Sequence, residues 1–375
     1  ALHIYPHPLL QEASVKEQAL STGLYERVPT ICEVAPGGDL PFDPFAASFY
    51  LLSRYEEYLP YPPDAHGRFP AAISWASRAR CLKYPIVWEW SLLLWRALQL
   101  KYPGLARQKR SYRYVPTFDV DSPWAFRHRG LRGLARAFLD LCTGKWELSR
   151  QRLATWSGLQ ADPFYTFPYL RKLHERRSIR PRIFWLVAAQ RTRYDISPSP
   201  NLRAYHALIR STTSWADSGL HPSYASNDTP SLLARERDIL GDILGSDITH
   251  SRQHYLRLCL PDTCRQLLAA GIRHDYTMGF ADAIGYRAGT SEPFYWFDLE
   301  SNQVTQLRIH PFAAMDVTLR KYLNMSPQVA SEALHELQAY AQQHGLSFST
   351  LWHNSSFSAT HGWAGWQTVY EGLLG

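Results

Sequence analysis

The stretch Tyr114-Val115-Pro116-Thr117-Phe118-Asp119-Val120-Asp121-Ser122-Pro123 resembles a short apolar strand that ends in two carboxylates. Side chains alternate along a strand, so Asp119 and Asp121 are expected to point to the same face. Neighbouring carboxylates repel each other, and a divalent cation is the usual counter-charge. The alternative is an Asp-rich turn that opens a helix, because Asp, Ser and Pro favour turns and caps.

Strand and helix patterns alternate downstream of this stretch, which predicts an α/β fold. Short links between strands and helices favour a parallel sheet, either open or closed into a barrel. Working residues then lie at the C-terminal ends of the strands. We predict an N-terminal accessory α+β domain over residues 1–110 and a (β/α) domain over residues 111–375. The predicted strands are 113–118, 182–188, 215–220, 247–252, 273–277, 293–299 and 348–352.

Polar side chains follow the predicted strands at their C-terminal ends. A single histidine in such a place is more often structural than a ligand, but several at successive ends of one sheet favour a site. One Asp with two neutral imidazoles suits Zn²⁺, Co²⁺, Ni²⁺ or Mn²⁺ and leaves positions open for water and substrate. The candidates are Asp119, Asp121, His221, Arg252, His254, Tyr276, Arg287 and His353.

Basic residues dominate the charge, with a formal net charge of +7 over 375 residues. Such a surface favours anionic partners, namely nucleic acid, a membrane surface or acidic glycans. No nucleic-acid-binding module is recognisable, so a nucleic-acid partner is not expected. The sequence leaves the oligomeric state open. One basic cluster comprises Arg127, Arg129, Arg132 and Arg136.

The five cysteines have no CxxC spacing. Neither a disulfide framework nor a zinc knuckle is indicated, so a reducing compartment and a cytoplasmic location are expected. No run of about 18 apolar residues is present, so no membrane span is expected. We see no signal-like segment at Ala1 and leave an upstream signal open.

The first 110 residues contain two helical patterns, at about 46–58 and 85–101. The polar residues that follow the first are interpreted as salt bridges that fix a loop on its helix, with a polar site as the alternative. These residues are Arg54, Glu56, Glu57, Asp64 and Arg68.

Residues 112–375 resemble the polysaccharide deacetylase (NodB-like) superfamily, carbohydrate esterase family four in the broad sense. Its first motif is Thr-Phe-Asp-Asp, and residues 117–121 match it with one residue inserted. The resemblance implies that Asp119 is the catalytic base and Asp121 a metal ligand. The second motif is His-x-x-x-His; His221 matches its first position, but Ala225 occupies the second. The resemblance therefore leaves the third metal ligand open. His254 could supply it, Ser226 or a water molecule could replace it, or the site has lost its metal.

The same resemblance implies an irregular (β/α) barrel and further catalytic residues. Arg252 or Arg287 corresponds to the arginine motif that orients the base. Leu351-Trp352-His353 is one residue shorter than the family's Leu-x-x-His motif, and His353 would be the general acid. The run from Ser53 to Tyr58 resembles the helical region that precedes the deacetylase domain in one bacterial branch.

The implied activity is metal-dependent hydrolysis of an acetyl amide or ester on a carbohydrate. A backbone N–H near Tyr224 would face the oxyanion, and Trp124, Tyr224 and Tyr276 would form platforms for sugar rings, unless they are core residues. The alternative is an inactive relative that binds carbohydrate or assists glycan assembly. A basic scaffold for an anionic polymer is a third class.

Overall fold

The computed structural model describes the backbone of residues 1–375 and all side chains except those of Leu131 and Arg132, so one member of the basic cluster lies outside the described side chains. Contacts divide the chain into two compact units. The first unit comprises residues 1–115 and 249–350, and the second unit comprises residues 116–248 and 351–375.

The two units contain helices and strands in alternation, which confirms the predicted α/β class. The α-helices are α1 (Pro44–Leu52), α2 (Trp75–Arg78), α3 (Ile86–Lys101), α4 (Gly130–Cys142), α5 (Trp146–Trp156), α6 (Phe167–Arg176), α7 (Arg203–Thr212), α8 (Pro230–Leu244), α9 (Asp262–Ala269), α10 (Pro327–His344) and α11 (Trp366–Leu373). The strands are β1 (Gly23–Tyr25), β2 (Val28–Thr30), β3 (Arg113–Val120), β4 (Arg182–Trp185), β5 (Asp217–Leu220), β6 (His250–Ser251), β7 (His274–Asp275), β8 (Phe294–Asp298), β9 (Gln303–Ile309), β10 (Ala314–Met315) and β11 (Ser347–His353).

The second unit is built on parallel pairing of β3 with β4 and of β4 with β5. The register places Val120 opposite Trp185, and Trp185 opposite Leu220. The C-terminal ends of the three strands are therefore level, and the residues that follow them emerge at one edge. The predicted parallel arrangement is confirmed here, and closure into a barrel remains a prediction.

Parallel pairs in the first unit join β6 to β7 and β7 to β9. Strand β8, predicted over residues 293–299, instead pairs antiparallel with β9, with an irregularity between Tyr295 and Phe297. The sequence patterns did not predict β9. β9 follows β8 after a short turn, and so short a connection permits only an antiparallel hairpin.

The predicted salt bridges of the N-terminal segment are present in the first unit. Arg54 Nε lies 2.7 Å from Glu57 Oε1, and Arg287 Nη2 lies 2.6 Å from Glu57 Oε2. Burial alone would raise the pKa of Glu57, but Arg287 and Arg54 hold it below its usual value. Arg68 pairs with Asp64 at 2.7 Å, so the loop interpretation is confirmed.

The pair of Glu57 and Arg287 joins the part of the first unit before residue 115 to the part after residue 249. This division of the chain by contacts differs from the predicted domain limits of 1–110 and 111–375, which remain a prediction. All five cysteines are free. Among the described helices, we find none with the length and apolarity that a bilayer crossing requires.

A buried histidine supports the strand that ends in the two aspartates. His174, on α6, is fully buried, and its ring packs edge-on against Phe118 of β3 at 5.5 Å. Nδ1 donates to Leu170 O at 2.7 Å, so Nε2 accepts from the Tyr370 hydroxyl at 2.6 Å. Burial lowers the pKa of His174 to about 4.

We expect this histidine to make the protein acid-sensitive. The unfolded chain binds the proton near pH 6.5 and the folded chain only near pH 4, so the stabilisation is complete above pH 6.5 and disappears as the pH falls through 4. The loss amounts to about 3 kcal/mol. Urea unfolding of wild type and His174→Phe between pH 7.5 and 4 measures it. A variant that loses as much stability over this range as the wild type contradicts the prediction.

Candidate active site

Four predicted site residues meet in the second unit, at the ends of its strands. Asp119 is on β3, Asp121 follows it, His221 follows β5, and His353 ends β11. His221 Nε2 lies 3.3 Å from Asp121 Oδ1 and 3.8 Å from Asp119 Oδ2. His353 Nε2 lies 4.0 Å from Asp121 Oδ2. The two aspartates thus face one imidazole, which confirms that they lie on the same side of the strand.

The four side chains differ in exposure. Those of Asp119 and His221 are 3% and 2% exposed, whereas those of Asp121 and His353 are 27% and 15% exposed. The cluster therefore has a closed end at Asp119 and a more open end at Asp121 and His353. A ligand would reach Asp121 and His353 more readily than Asp119.

The donor atoms fit a divalent metal ion. Carboxylate oxygen and imidazole nitrogen are ordinary zinc ligands, and two such atoms about 2 Å from a tetrahedral ion are about 3.3 Å apart. Asp121 Oδ1 and His221 Nε2 have this separation, 3.3 Å. Asp121 and His221 could therefore hold one metal ion between them without rearrangement of the strands.

The loop that presents His221 is held by a carboxylate that the sequence analysis missed. Glu236, on α8, is fully buried. Its Oε2 accepts from Ser223 N at 2.8 Å and its Oε1 accepts from Ala189 N at 2.9 Å. Burial raises the pKa of Glu236, while the hydrogen bonds from Ser223 and Ala189 oppose the increase. A glutamate on the apolar face of a predicted helix is the signal that could have revealed it.

Asn354 fixes the other side of the site. Its Nδ2 donates to Ser122 O at 3.0 Å and to Phe164 O at 2.8 Å, so the residue after His353 holds the residue after Asp121. Asn354 is 2% exposed, and a buried amide with both protons bonded has little freedom to move.

The expected oxyanion donor, a backbone N–H near Tyr224, remains a prediction, but the amide of Tyr224 itself is engaged elsewhere. Tyr224 N donates to Asp195 Oδ1 at 2.8 Å, so this amide is already bonded within the protein. Tyr224 opens a short 3-10 turn that contains Ala225 and Ser226. Ser226 donates its hydroxyl proton to Ser223 O at 2.7 Å. As a metal ligand, Ser226 could therefore offer only the lone pairs of its Oγ.

The other predicted polar residues belong to the first unit. His254 is 4% exposed and its ring contacts that of Tyr255 at 4.8 Å. Arg252 is buried and donates from Nε to Tyr276 O at 2.9 Å. Arg287 is held by Glu57, as described above. Their predicted roles stay predictions.

The aromatic candidates differ in accessibility. Trp124 and Tyr276 are each 6% exposed; Trp124 stacks with Tyr165 at 6.4 Å, and Tyr276 stacks on His310 at 4.2 Å. Tyr224 is half-buried and packs on Tyr194 at 4.1 Å. Tyr224 therefore offers the most accessible ring of the three, and contact with sugar remains a prediction for all of them.

Comparison with known proteins gives one family model. Residues 1–103 match a family of unknown function, DUF7033. No curated protein matches the chain by sequence.

Several solved structures are similar to the chain. A Mycobacterium smegmatis protein described as a polysaccharide deacetylase shares 15% identity at a TM-score of 0.47, over 72% of this chain and 84% of its own. A family 4 carbohydrate esterase from Streptomyces lividans shares 9% identity at a TM-score of 0.34, over 72% of this chain and 88% of its own. PuuE allantoinase shares 11% identity at a TM-score of 0.43, over 84% of this chain and 90% of its own.

We expect Glu236→Gln to disturb the His221 loop. A glutamine amide has one acceptor oxygen, so its NH₂ group would face one of the two backbone N–H donors. Loss of one buried acceptor costs about 1–3 kcal/mol. Urea unfolding measures this loss, and Zn²⁺ content measures the displacement of His221. The control is Glu175→Gln, whose side chain is 50% exposed. Wild-type stability and Zn²⁺ content in Glu236→Gln would contradict the assignment.

Proposed function

We propose that the chain is a metal-dependent hydrolase that removes acetyl groups from an N- or O-acetylated carbohydrate or glycan precursor. The observation that carries the proposal is a cluster of two carboxylates and two imidazoles. His221 lies 3.8 Å from Asp119 and 3.3 Å from Asp121, and His353 lies 4.0 Å from Asp121. These are the groups that hydrolysis needs: a base, an acid and ligands for a Lewis acid. The motifs that resemble polysaccharide deacetylases contain the same four residues.

Asp121 and His221 are the proposed metal ligands in the second unit. When bound, a divalent ion such as Zn²⁺ would polarise the acetyl carbonyl as a Lewis acid. The third ligand is proposed to be His254, which follows β6 as His221 follows β5. A carboxylate with two imidazoles leaves positions open, as catalytic zinc sites do.

Asp119 is the proposed general base. It would accept a proton from the attacking water as the water oxygen forms a bond to the acetyl carbon. Its carboxylate is 3% exposed and lies 3.8 Å from Nε2 of His221, a proposed metal ligand, which supports this role. Arg252 or Arg287 is proposed to orient it.

His353 is the proposed general acid. As the bond between the acetyl carbon and the sugar nitrogen or oxygen breaks, His353 would donate a proton to the leaving atom. It is partly exposed and lies beside Asp121, so a sugar could approach it from solvent. Free acetate and a sugar amine or hydroxyl are the products.

An inactive relative that binds carbohydrate is the alternative. Ala225, which stands where the family motif has its second histidine, favours it. An alanine side chain has no atom that can bind a metal ion. Metal content and acetate release separate the two functions.

We expect Asp119→Asn to retain metal and to lose activity, because an amide cannot accept the proton from water. Acetate release from penta-N-acetylchitopentaose and from acetylated xylan, in the presence of Zn²⁺ or Co²⁺, should fall about 10²- to 10⁴-fold. Asp121→Ala and His221→Ala should lose the metal itself. Asp238→Asn, a side chain on α8 that is 61% exposed, is the matched control. Full activity in Asp119→Asn would eliminate Asp119 as the base.

The third ligand is tested by metal analysis of His254→Ala beside the wild type. We expect near-stoichiometric metal in the wild type and a clear fall in the variant, with the exposed His335→Ala as control. Metal that is unchanged in His254→Ala would transfer the role to Ser226 or water. Absence of metal from both proteins after addition of Zn²⁺ would favour the inactive relative.

A further inference from the structure

A basic cavity of about 360 Å³ lies in the second unit. Its walls come from the segment between β3 and α4, from the helices α4 and α5, and from residues 191–198. The arginines that line it are Arg129, Arg136, Arg152, Arg191 and Arg193. The cavity is large enough for a charged group together with part of a sugar ring.

The positive charge of this cavity is only partly balanced. Arg152 and Arg136 share Asp140, at 2.7 and 3.4 Å. Arg129 donates instead to the carbonyl oxygens of Ile196 and Trp124, at 2.7 and 2.6 Å. Among the side chains that the structure describes, no carboxylate lies within ion-pair distance of Arg129 or Arg191.

The carboxylate of Asp195, which also lines the cavity, is engaged by other donors. Its Oδ2 accepts from Thr192 N at 2.8 Å and from Thr192 Oγ1 at 2.6 Å, and its Oδ1 accepts from Tyr224 N. Burial lowers the pKa of Arg129; the charge of Asp162 opposes the shift, and those of Arg152 and Arg191 add to it. An additional negative charge in the cavity would relieve this crowding of cations.

Two buried donors in the cavity wall have no acceptor among the described residues. They are Ser197 Oγ and Arg152 Nε, on side chains that are 2% and 5% exposed. Buried polar groups in proteins are nearly always bonded, so an exception suggests an absent partner. A hydroxyl and a guanidinium N–H both need an acceptor, and the oxygen atoms of an anion supply several.

The cavity adjoins the segments that present the candidate catalytic residues. Arg129 Nη2 donates to Ser122 Oγ at 2.8 Å, and Ser122 is the neighbour of Asp121. In the part of the wall formed by residues 191–198, Asp195 accepts from the amide of Tyr224, three residues beyond His221. A ligand bound here would therefore contact Arg129 and Asp195, the two side chains that bond to the segments next to Asp121 and His221.

We propose that this cavity binds an anionic group of the substrate, a carboxylate or a phosphate, so that the acetylated carbohydrate is an acidic one. The identity of the ligand as an acetylated sugar rests on the proposed function. Binding of the anionic group does not, because it needs neither metal nor catalysis.

Isothermal titration calorimetry of the full chain at low ionic strength tests the site, with inorganic phosphate, glucuronate and neutral glucose as probes. We expect saturable one-to-one binding of phosphate or glucuronate and none of glucose. Ser197→Ala should weaken the affinity about tenfold, since it removes a hydrogen bond to a charged ligand. Arg191→Gln should weaken it at least as much, whereas Arg150→Gln, 79% exposed on α5, should leave it unchanged. A preference for glucuronate indicates a uronic acid, and a preference for phosphate indicates a phosphorylated sugar.

Asp121→Ala separates this proposal from the proposed function. Anion binding that survives in Asp121→Ala supports the proposed site in the cavity. Binding that is lost in Asp121→Ala and kept in Arg191→Gln would locate the anion at the metal centre and overturn the proposal. Absence of binding by either anion overturns it too. If no acetate is released from any substrate but the anion binds as expected, the hydrolase proposal fails and the anion site stands.

Discussion

Two carboxylates at the end of one buried strand repel each other, and the register of that strand keeps them together. Phe118 and Val120, which alternate with Asp119 and Asp121, are 1% and 0% exposed. Turning either aspartate to the other face would expel an apolar side chain from the core. Hydrophobic burial therefore maintains an electrostatically unfavourable pair. A cation beside His221, as in the proposed metal site, would relieve this repulsion.

The segments around this pair are held by buried carboxylates that accept from backbone amides. Glu236 accepts from Ala189 and Ser223, and Asp195 accepts from Thr192 and Tyr224. Asp162 accepts from three successive amides in the segment that follows Asp121. Loops usually contribute the mobile part of a site. Here each loop is bonded through its main chain, which gives the candidate catalytic side chains a fixed support.

Positive charge is used in two different ways in the two units. In the first unit, the buried guanidinium groups of Arg54 and Arg287 share the carboxylate of Glu57, so the charges compensate one another. In the second unit, Arg129 and Arg191 bond to backbone carbonyl oxygens and keep their charge available. The net charge of +7 is a sum that does not distinguish these cases. Specific recognition of an anion requires the second arrangement.

The sequence by itself determined the local features: the alternation that places Asp119 and Asp121 on one face, the position of His221 after a strand, and the α/β class. Each depends on side chains only a few residues apart. Tertiary structure alone decided that Glu236 and Asp195 support the His221 loop, across 13 and 29 residues, and that Glu57 pairs with Arg287 across 230. Periodicity records which face of an element is apolar, but a loop amide can bond to any acceptor that folding brings near. Which acceptor each loop amide bonds to is therefore decided only once the chain has folded.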